Sequence, residues 1–399
     1  MKRYPKYKPF GNYWISEIPS HWNEQKIKHL FDERVEKGHP DEPLLAATQN
    51  QGVILKSDYE SRTVEATKDL HLLKFVKEGD FVISLRSFQG GIEYSYCQGI
   101  ISPAYTIMIP RSEIDSSYFR HLAKSRTFIE LLKGCVTGIR EGQNINYALL
   151  RTYLLPLPPI EEQKIIADFL DKKTKQIDRF ISLQKEAISL LKELRQAEIT
   201  KAVTKGLDEN AEMNEGWNLM KLKHCVSICN GRDYSNVQVT DGGYPVIGSG
   251  GEFARASEYL YDKSSVLFGR KGTIDKPLFQ ENPFWTVDTM FYTIINLNYL
   301  IPKYLYYFAT TIDFPYYMTN TALPSMTKSD LENIYLNLPS LTEQENIIDY
   351  LDKKCAEIDS AIQNKEALIE KVTEYKIRLI SDAVTGKIDV RGEDIKPEL

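Results

Sequence analysis

No run in this 399-residue chain stays apolar for the roughly 20 residues that a helix needs to cross a bilayer, so no membrane span is expected. The opening MKRYPKYKPF has no apolar centre, so no export signal is expected there. Cysteine is scarce and odd in number, with five scattered at Cys97, Cys135, Cys225, Cys229 and Cys355. That suits reduced thiols in a cytoplasmic setting better than a disulfide framework. Cys225 and Cys229 have no second Cys/His pair at zinc spacing, so they read as structural and no metal is expected. The six histidines form no His-Glu-x-x-His set. A phosphate-binding Gly-x4-Gly-Lys-Ser/Thr loop is missing, and Gly248-Ser249-Gly250-Gly251 lacks the Gly-x-Gly-x-x-Gly spacing. That glycine run reads instead as a turn between strands. No cofactor and no catalytic constellation can be singled out.

Strong positive charge is also lacking. The net charge is −5, and no segment is markedly basic. Residues 1–155 carry 21 Lys+Arg against 18 Asp+Glu, residues 156–211 carry 10 of each, residues 212–335 carry 10 against 13, and residues 336–399 carry 9 against 14. A stand-alone DNA binder usually presents a basic face. If DNA is the ligand, a partner must supply much of the phosphate contact.

What the chain does have is an internal repeat. Leu157-Pro158-Pro159-Ile160-Glu161-Glu162-Gln163, then Ile166, Asp168, Leu170-Asp171-Lys172-Lys173 and Ile177-Asp178, closes with Ala202-Val203-Thr204. It returns 181 residues later as Leu338-Pro339-Ser340-Leu341-Thr342-Glu343-Gln344, Ile347, Asp349, Leu351-Asp352-Lys353-Lys354, Ile358-Asp359 and Ala383-Val384-Thr385. A second echo, offset by 195, pairs Trp22-Asn23 and Lys26-Ile27-Lys28-His29 with Trp217-Asn218 and Lys221-Leu222-Lys223-His224. Between the echoes the halves diverge.

Each repeated block reads as a long helix. Ile166, Leu170, Ile177, Ile181, Ile188 and Leu191 form an a/d seam, and Ile347, Leu351, Ile358, Ile362, Ile369 and Val372 repeat it, with Lys173 and Lys354 expected at seam positions. Prolines punctuate each start, and Glu161, Glu162 and Glu343 fall in the first turn, where the helix dipole favours them. Two matched helices of this length are expected to pair with each other, antiparallel, as a spacer. The inserts read as α+β globules. Strands are expected at 80–86, 105–109, 265–270 and 290–295, and short helices over 117–132 and 302–310. The chain therefore divides into globules 1–155 and 212–335 and helical blocks 156–211 and 336–399.

Polar side chains on loops after strands are the remaining candidates. Arg86, Ser87 and Gln89 follow the first strand, and Arg270, Lys271 and Thr273 follow its counterpart. Arginine can make a bidentate contact to guanine and glutamine to adenine, while Ser, Thr and Lys suit phosphate oxygens. Asn144 and Asn146, beside Gln143, are further candidates, with Ser325 and Thr327 as their counterparts.

Here a resemblance enters. Tyr7-Lys8-Pro9-Phe10-Gly11, Trp14 and Ile18-Pro19-Ser20-His21-Trp22 resemble the start of specificity subunits of type I restriction-modification systems. So do the block at 157–163 and Ala383-Val384-Thr385-Gly386-Lys387-Ile388-Asp389-Val390-Arg391. The likeness runs over essentially the whole chain. It implies two target recognition domains, joined by two long helices in an antiparallel coiled coil, with pseudo-two-fold duplication. It implies a non-catalytic chain that binds double-stranded DNA with two modification (methyltransferase) subunits and restriction (ATP-dependent translocase and nuclease) subunits, without membrane, cofactor or metal of its own. The modification subunits would use S-adenosylmethionine to methylate N6 of adenine. A self-sufficient adenine methyltransferase and a coiled-coil adaptor are the competing readings. The absent cofactor fingerprint weighs against the first.

Overall fold

The computed structural model describes residues 2–11, 13–59, 69–137, 144–208, 216–317 and 324–393. The chain forms two compact units, Met1–Gln184 with Ala367–Leu399, and Lys185–Glu366. The boundary expected at 211/212 lies outside the described residues.

The first unit is built on a four-stranded antiparallel sheet in the order Phe31–Arg34, Thr106–Pro110, Phe81–Ile83, Glu93–Tyr94. Phe81–Ile83 is buried throughout, as an apolar run at the centre of a covered sheet should be. The second unit repeats this order with Val226–Asn230, Met290–Ile295, Ser265–Gly269 and Leu278–Gln280. All five residues of Ser265–Gly269 are buried. A two-stranded ladder accompanies each sheet, Asn23–Lys26 with Leu154–Leu157 in one unit and Asn218–Lys221 with Tyr335–Leu338 in the other. Each ladder runs into a one-turn helix, Ile27–Leu30 or Leu222–Cys225, which holds the second sequence echo. His29 and His224 are the penultimate residues of those turns and are exposed.

The helix expected over 117–132 is two helices, Ser116–Lys124 and Arg126–Gly134. Ser125 divides them. Its hydroxyl accepts from Phe128 N (3.2 Å) and donates to Leu122 O (2.7 Å), ending one helix and capping the next. The stretch at 302–310 forms Pro302–Ala309, with proline in its first turn.

The long helices are Ile160–Lys205, 46 residues, and Leu341–Val384, 44 residues. Each ends at a glycine of positive φ, Gly206 (+81°) and Gly386 (+73°), the left-handed residue that stops a helix. In the first unit, Ile166, Leu170 and Ile177 share one hydrophobic cluster with Leu379, Ala383 and Val384. Lys376 Nζ donates to Asp178 at 2.6 Å there. In the second unit, Ile199, Ala202 and Val203 share a cluster with Ile347, Leu351 and Cys355. There Arg195 pairs with Asp359 at 3.0 Å, and Tyr350 donates to Glu198 at 2.8 Å. Partner numbers fall as the first helix advances, so the pairing is antiparallel within the unit. One detail differs from the heptad reading. Lys354 is only half-buried, and its neighbour Cys355, 4% exposed, fills the core.

Candidate nucleic-acid interface

Each globule is anchored to its helices by the same polar contacts. Gln163 and Gln344 are both fully buried. The Gln163 amide donates to Pro158 O (2.9 Å) and Glu113 O (3.1 Å), and its oxygen accepts from Asp115 N (2.7 Å). The Gln344 amide donates to Pro339 O (3.1 Å) and Tyr299 O (2.8 Å), and its oxygen accepts from Ile301 N (2.8 Å). Trp22 Nε1 donates to Glu162 at 3.0 Å, and Trp217 Nε1 donates to Glu343 at 3.0 Å. Tyr118 OH donates to Val384 O (2.9 Å) and Pro156 O (3.3 Å), while Tyr304 OH reaches Val203 O (3.4 Å) and Asn337 O (3.5 Å). Burial pushes both tyrosine hydroxyls well up from their ordinary pKa, so both stay protonated donors. Asp171 takes Arg120 (2.6 Å) and His121 (2.7 Å), and Asp352 takes Lys303 (2.7 Å) and Tyr307 (2.6 Å). Partial burial opposes charge on Asp171, but His121 and Arg120 outweigh it and hold the carboxyl below its usual range.

The globules also share the position of a cleft. A hairpin stands beside each sheet, Leu45–Thr48 with Gly52–Leu55 in one unit and Tyr244–Gly248 with Gly251–Ala256 in the other. Gly248–Gly251 is therefore the turn expected from its sequence. In the first unit the hairpin turn, the loop after Phe81–Ile83 and Tyr105 border a cleft of about 740 Å³. Its rim carries Gln49, Asn50, Gln51 and Arg86, all exposed. In the second unit the turn Gly248–Gly251, Val287–Thr289, Asp233, Tyr234 and Phe253 border a cleft of about 740 Å³. Tyr105 and Thr289 each immediately precede the matching sheet strand. The linings differ. One offers amides, a guanidinium and the single carboxylate of Asp58, and the other offers glycines, the carboxylates of Asp233 and Asp288 and an edge-to-face Tyr234–Phe253 pair at 5.4 Å.

Residues 214–372 match the family model described as the type I restriction modification DNA specificity domain. The type I restriction enzyme MjaVIII specificity subunit of Methanocaldococcus jannaschii is 23% identical, over 85% of this chain and 88% of its own length. Residues 214–372 belong to that DNA specificity family, and over nearly its whole length the chain is similar to type I specificity subunits. Among solved structures, a chain from work on complex assembly and conformational transition of the type I R-M system matches 93% of this chain and 99% of itself, with a TM-score of 0.76 and 17% identity. The HsdS subunit from Thermoanaerobacter tengcongensis matches 96% of this chain and 100% of its own, with a TM-score of 0.58 and 16% identity. At these identities the structural likeness speaks for the fold.

The fold places the sequence candidates unevenly. Arg86 lines the first cleft, and Gln89 is exposed on the short helix Ser87–Gly90 that follows it. Ser87 is buried, and its hydroxyl accepts from Ser84 N at 2.8 Å. Asn144 is exposed on a two-residue strand, its side chain accepting from Ile145 N at 2.9 Å. Asn146 caps the helix Tyr147–Leu150 by accepting from Leu149 N at 3.0 Å. Gln143 lies outside the described residues. In the second unit Arg270 donates to Asp288 O at 3.3 Å, beside the cleft, with its guanidinium 5.9 Å from the Phe291 ring centre. Lys271 is exposed and bridges Ser325 through its backbone, and Thr273 is half-buried. Sequence reasoning missed Gln49, Asn50 and Gln51 in the first unit, and Asp233, Tyr234 and Phe253 in the second. These belong to the divergent inserts, where the repeat gives no guide. The turn-forming Thr48-x-x-Gln51 was the available signal, since the Thr48 hydroxyl accepts from Gln51 N at 2.9 Å.

Proposed function

We propose that this specificity subunit reads a DNA target in two separate halves, one per globule, and leaves methylation and cleavage to associated subunits. Residues 1–155 and 212–335 act as the target recognition domains, and 156–211 with 336–399 as their scaffold. One observation carries the reading. Globules anchored at equivalent scaffold positions present clefts at the same topological position with unlike chemistry.

Amides and arginine in the first cleft suit adenine and guanine edges in the major groove. Carboxylates in the second suit the amino group of cytosine, and Phe253 the methyl of thymine. The buried Ser87 hydroxyl and the Asn146 oxygen serve backbone N–H groups, so base contact is assigned to the exposed Arg86, Gln89 and Asn144 in the first domain. Arg270 takes that role in the second, with Lys271 and Thr273 suited to phosphate oxygens. The first globule is only slightly positive and the second is net negative, which leaves phosphate contact to partners, taken to be two modification subunits that bring S-adenosylmethionine. Restriction subunits add ATP-driven translocation and cutting, in the cytoplasm. The first long helix, 46 residues, is about 69 Å long at 1.5 Å per residue. That is on the order of two turns of duplex, so helix length sets the unread gap.

The test is exchange of residues 1–155 for the first globule of another specificity subunit, followed by mapping of methylated adenine. One half-site changes and the other stays. A change in both, or in neither, rejects the reading. Inserting a heptad within residues 174–194 lengthens the gap between the half-sites; an unaltered gap removes the spacer role.

A further inference from the structure

Lys124 closes the helix Ser116–Lys124 and sits where three segments of the first unit meet. Its ammonium donates to Gln49 O (3.0 Å), Gly90 O (2.9 Å) and Glu93 Oε1 (2.6 Å). An ammonium has three N–H groups, and all three are spent. Gln49 belongs to the hairpin turn on the cleft rim, and Gly90 ends the short helix that begins just after Arg86 and carries Gln89. The packing here is close. A Cβ on Gly91, at φ +85°, would lie 2.2 Å from Ala123 O, and one on Gly90 would lie 3.0 Å from Gln49 Cγ. The helix behind the lysine is rigidly held. Tyr118, Phe119, Leu122 and Ala123 are fully buried, and the helix's N-cap, Asp115, is held by Gln163.

We infer that Lys124 is a positioning residue for base recognition by the first globule. It clamps the Gln49 turn and the Arg86–Gly90 turn to one helix end, so the two sets of reading groups keep a fixed spacing. This rests on the DNA reading above. A lysine near a DNA-facing cleft would ordinarily be taken as a phosphate contact, but Lys124 has no donor left to give. Among the described residues, the second unit has no such tie at the equivalent place. The corresponding helix ends at Thr310, whose hydroxyl turns back to Tyr307 O at 2.7 Å. The effect is therefore confined to one half-site.

The experiment uses the full chain assembled with its modification subunits and DNA duplexes carrying single substitutions in either half-site. Lys124→Met lowers discrimination at the half-site read by the first globule by about tenfold, the scale of one good base contact. It leaves the other half-site and the salt slope of binding unchanged. Amide exchange at residues 48–52 and 87–91 becomes faster. Lys124→Arg keeps the charge but cannot aim three donors from one atom, so it also loses discrimination and carries the test if the methionine variant fails to fold. A salt slope that drops by about one with discrimination kept would make Lys124 a phosphate contact and overturn the inference. So would unchanged discrimination in both variants. If the 1–155 exchange moves one half-site while Lys124→Met leaves it intact, only the clamp fails. If the exchange moves neither, the DNA reading fails first.

Discussion

Replacing Gln163 or Gln344 by alanine should loosen one globule from its helices and leave the other in place. Each side chain is fully buried and satisfies one backbone N–H and two backbone carbonyls. Truncation strands all three groups away from water. A stranded buried polar group costs about 1–3 kcal/mol, and some water will enter the space left behind, so roughly 3–5 kcal/mol is expected for each substitution. The tryptophans make the effect separable. Trp14 and Trp22 report on the first unit, and Trp217 and Trp285 on the second. In variants that keep only one pair, urea unfolding followed by fluorescence reads one unit at a time. Gln163→Ala should shift the Trp14/Trp22 transition strongly and the Trp217/Trp285 transition little, and Gln344→Ala should do the reverse. A shift below about 1 kcal/mol for both would mean that these amides do not hold the globules. Equal shifts in both transitions from either substitution would refute the two-anchor account.

The Glu93 carboxyl supplies a pH test. Burial drives its pKa up to about 7 against the pull of Lys124, and among the described residues its Oε2 has no hydrogen-bond partner. A carboxyl whose folded pKa is raised favours the fold below its unfolded value of 4.5 and loses that contribution as pH rises through about 7. Stability of the wild type relative to Glu93→Gln should therefore fall by roughly 3 kcal/mol between pH 4 and pH 8; parallel pH curves for the two proteins would count against the burial argument. In the helix pair, Leu170→Ala should cost about 2–5 kcal/mol and Lys376→Ala less than about 1 kcal/mol, because Leu170 is fully buried while the Lys376–Asp178 pair is open to solvent. Comparable costs in thermal melts would show that ion pairs rather than the apolar seam hold the helices. The isolated chain should bind DNA weakly and with marked salt dependence, tightening when modification subunits are added; tight, salt-insensitive binding by the chain alone would contradict the charge argument.

The parts of the fold legible in the sequence were those repeated in it or periodic in it. Heptads gave both long helices, and apolar runs gave the central strands at 81–83, 106–110, 265–269 and 290–295. The echo pointed to Gln163 and Gln344 without showing what they do, because their partners Glu113, Asp115, Tyr299 and Ile301 lie more than 40 residues upstream. Asn146 and Thr327 show a different shortfall. Their 181-residue correspondence is real in three dimensions, since each is the N-cap of an equivalent short helix. The correspondence indicated a shared place, and the chemistry there is helix capping. The Lys124 clamp was invisible for a simpler reason. Its acceptors are 75, 34 and 31 residues away, and two of them are backbone carbonyls that any residue would supply.

That last property bears on how one scaffold can carry unlike globules. The buried glutamine touches only backbone atoms of its globule and of the segment leading into the helix. The hydroxyls of Tyr118 and Tyr304 likewise end on backbone carbonyls, Val384 and Pro156 in one unit, Val203 and Asn337 in the other. A contact that reads backbone is indifferent to the side chains around it, provided the chain takes the same path. The antiparallel four-stranded sheet on which each unit is built has the same strand order, while the residues on the cleft rims share almost nothing. Anchors of this kind hold a globule firmly and place little constraint on what its cleft reads. Where the scaffold does read a side chain, Glu162 and Glu343 meet a tryptophan in both units, whereas at the aspartates the partner differs in chemistry. Asp171 meets Arg120 and His121, and Asp352 meets Lys303 and Tyr307, so the carboxylate is kept and any donor of suitable reach completes it. It follows that His121→Tyr together with Arg120→Lys, which moves the first anchor toward the second, should leave the first unit's unfolding midpoint nearly unchanged, whereas Asp171→Ala should lower it. A double variant that unfolds as early as Asp171→Ala would show that the two anchors are not interchangeable.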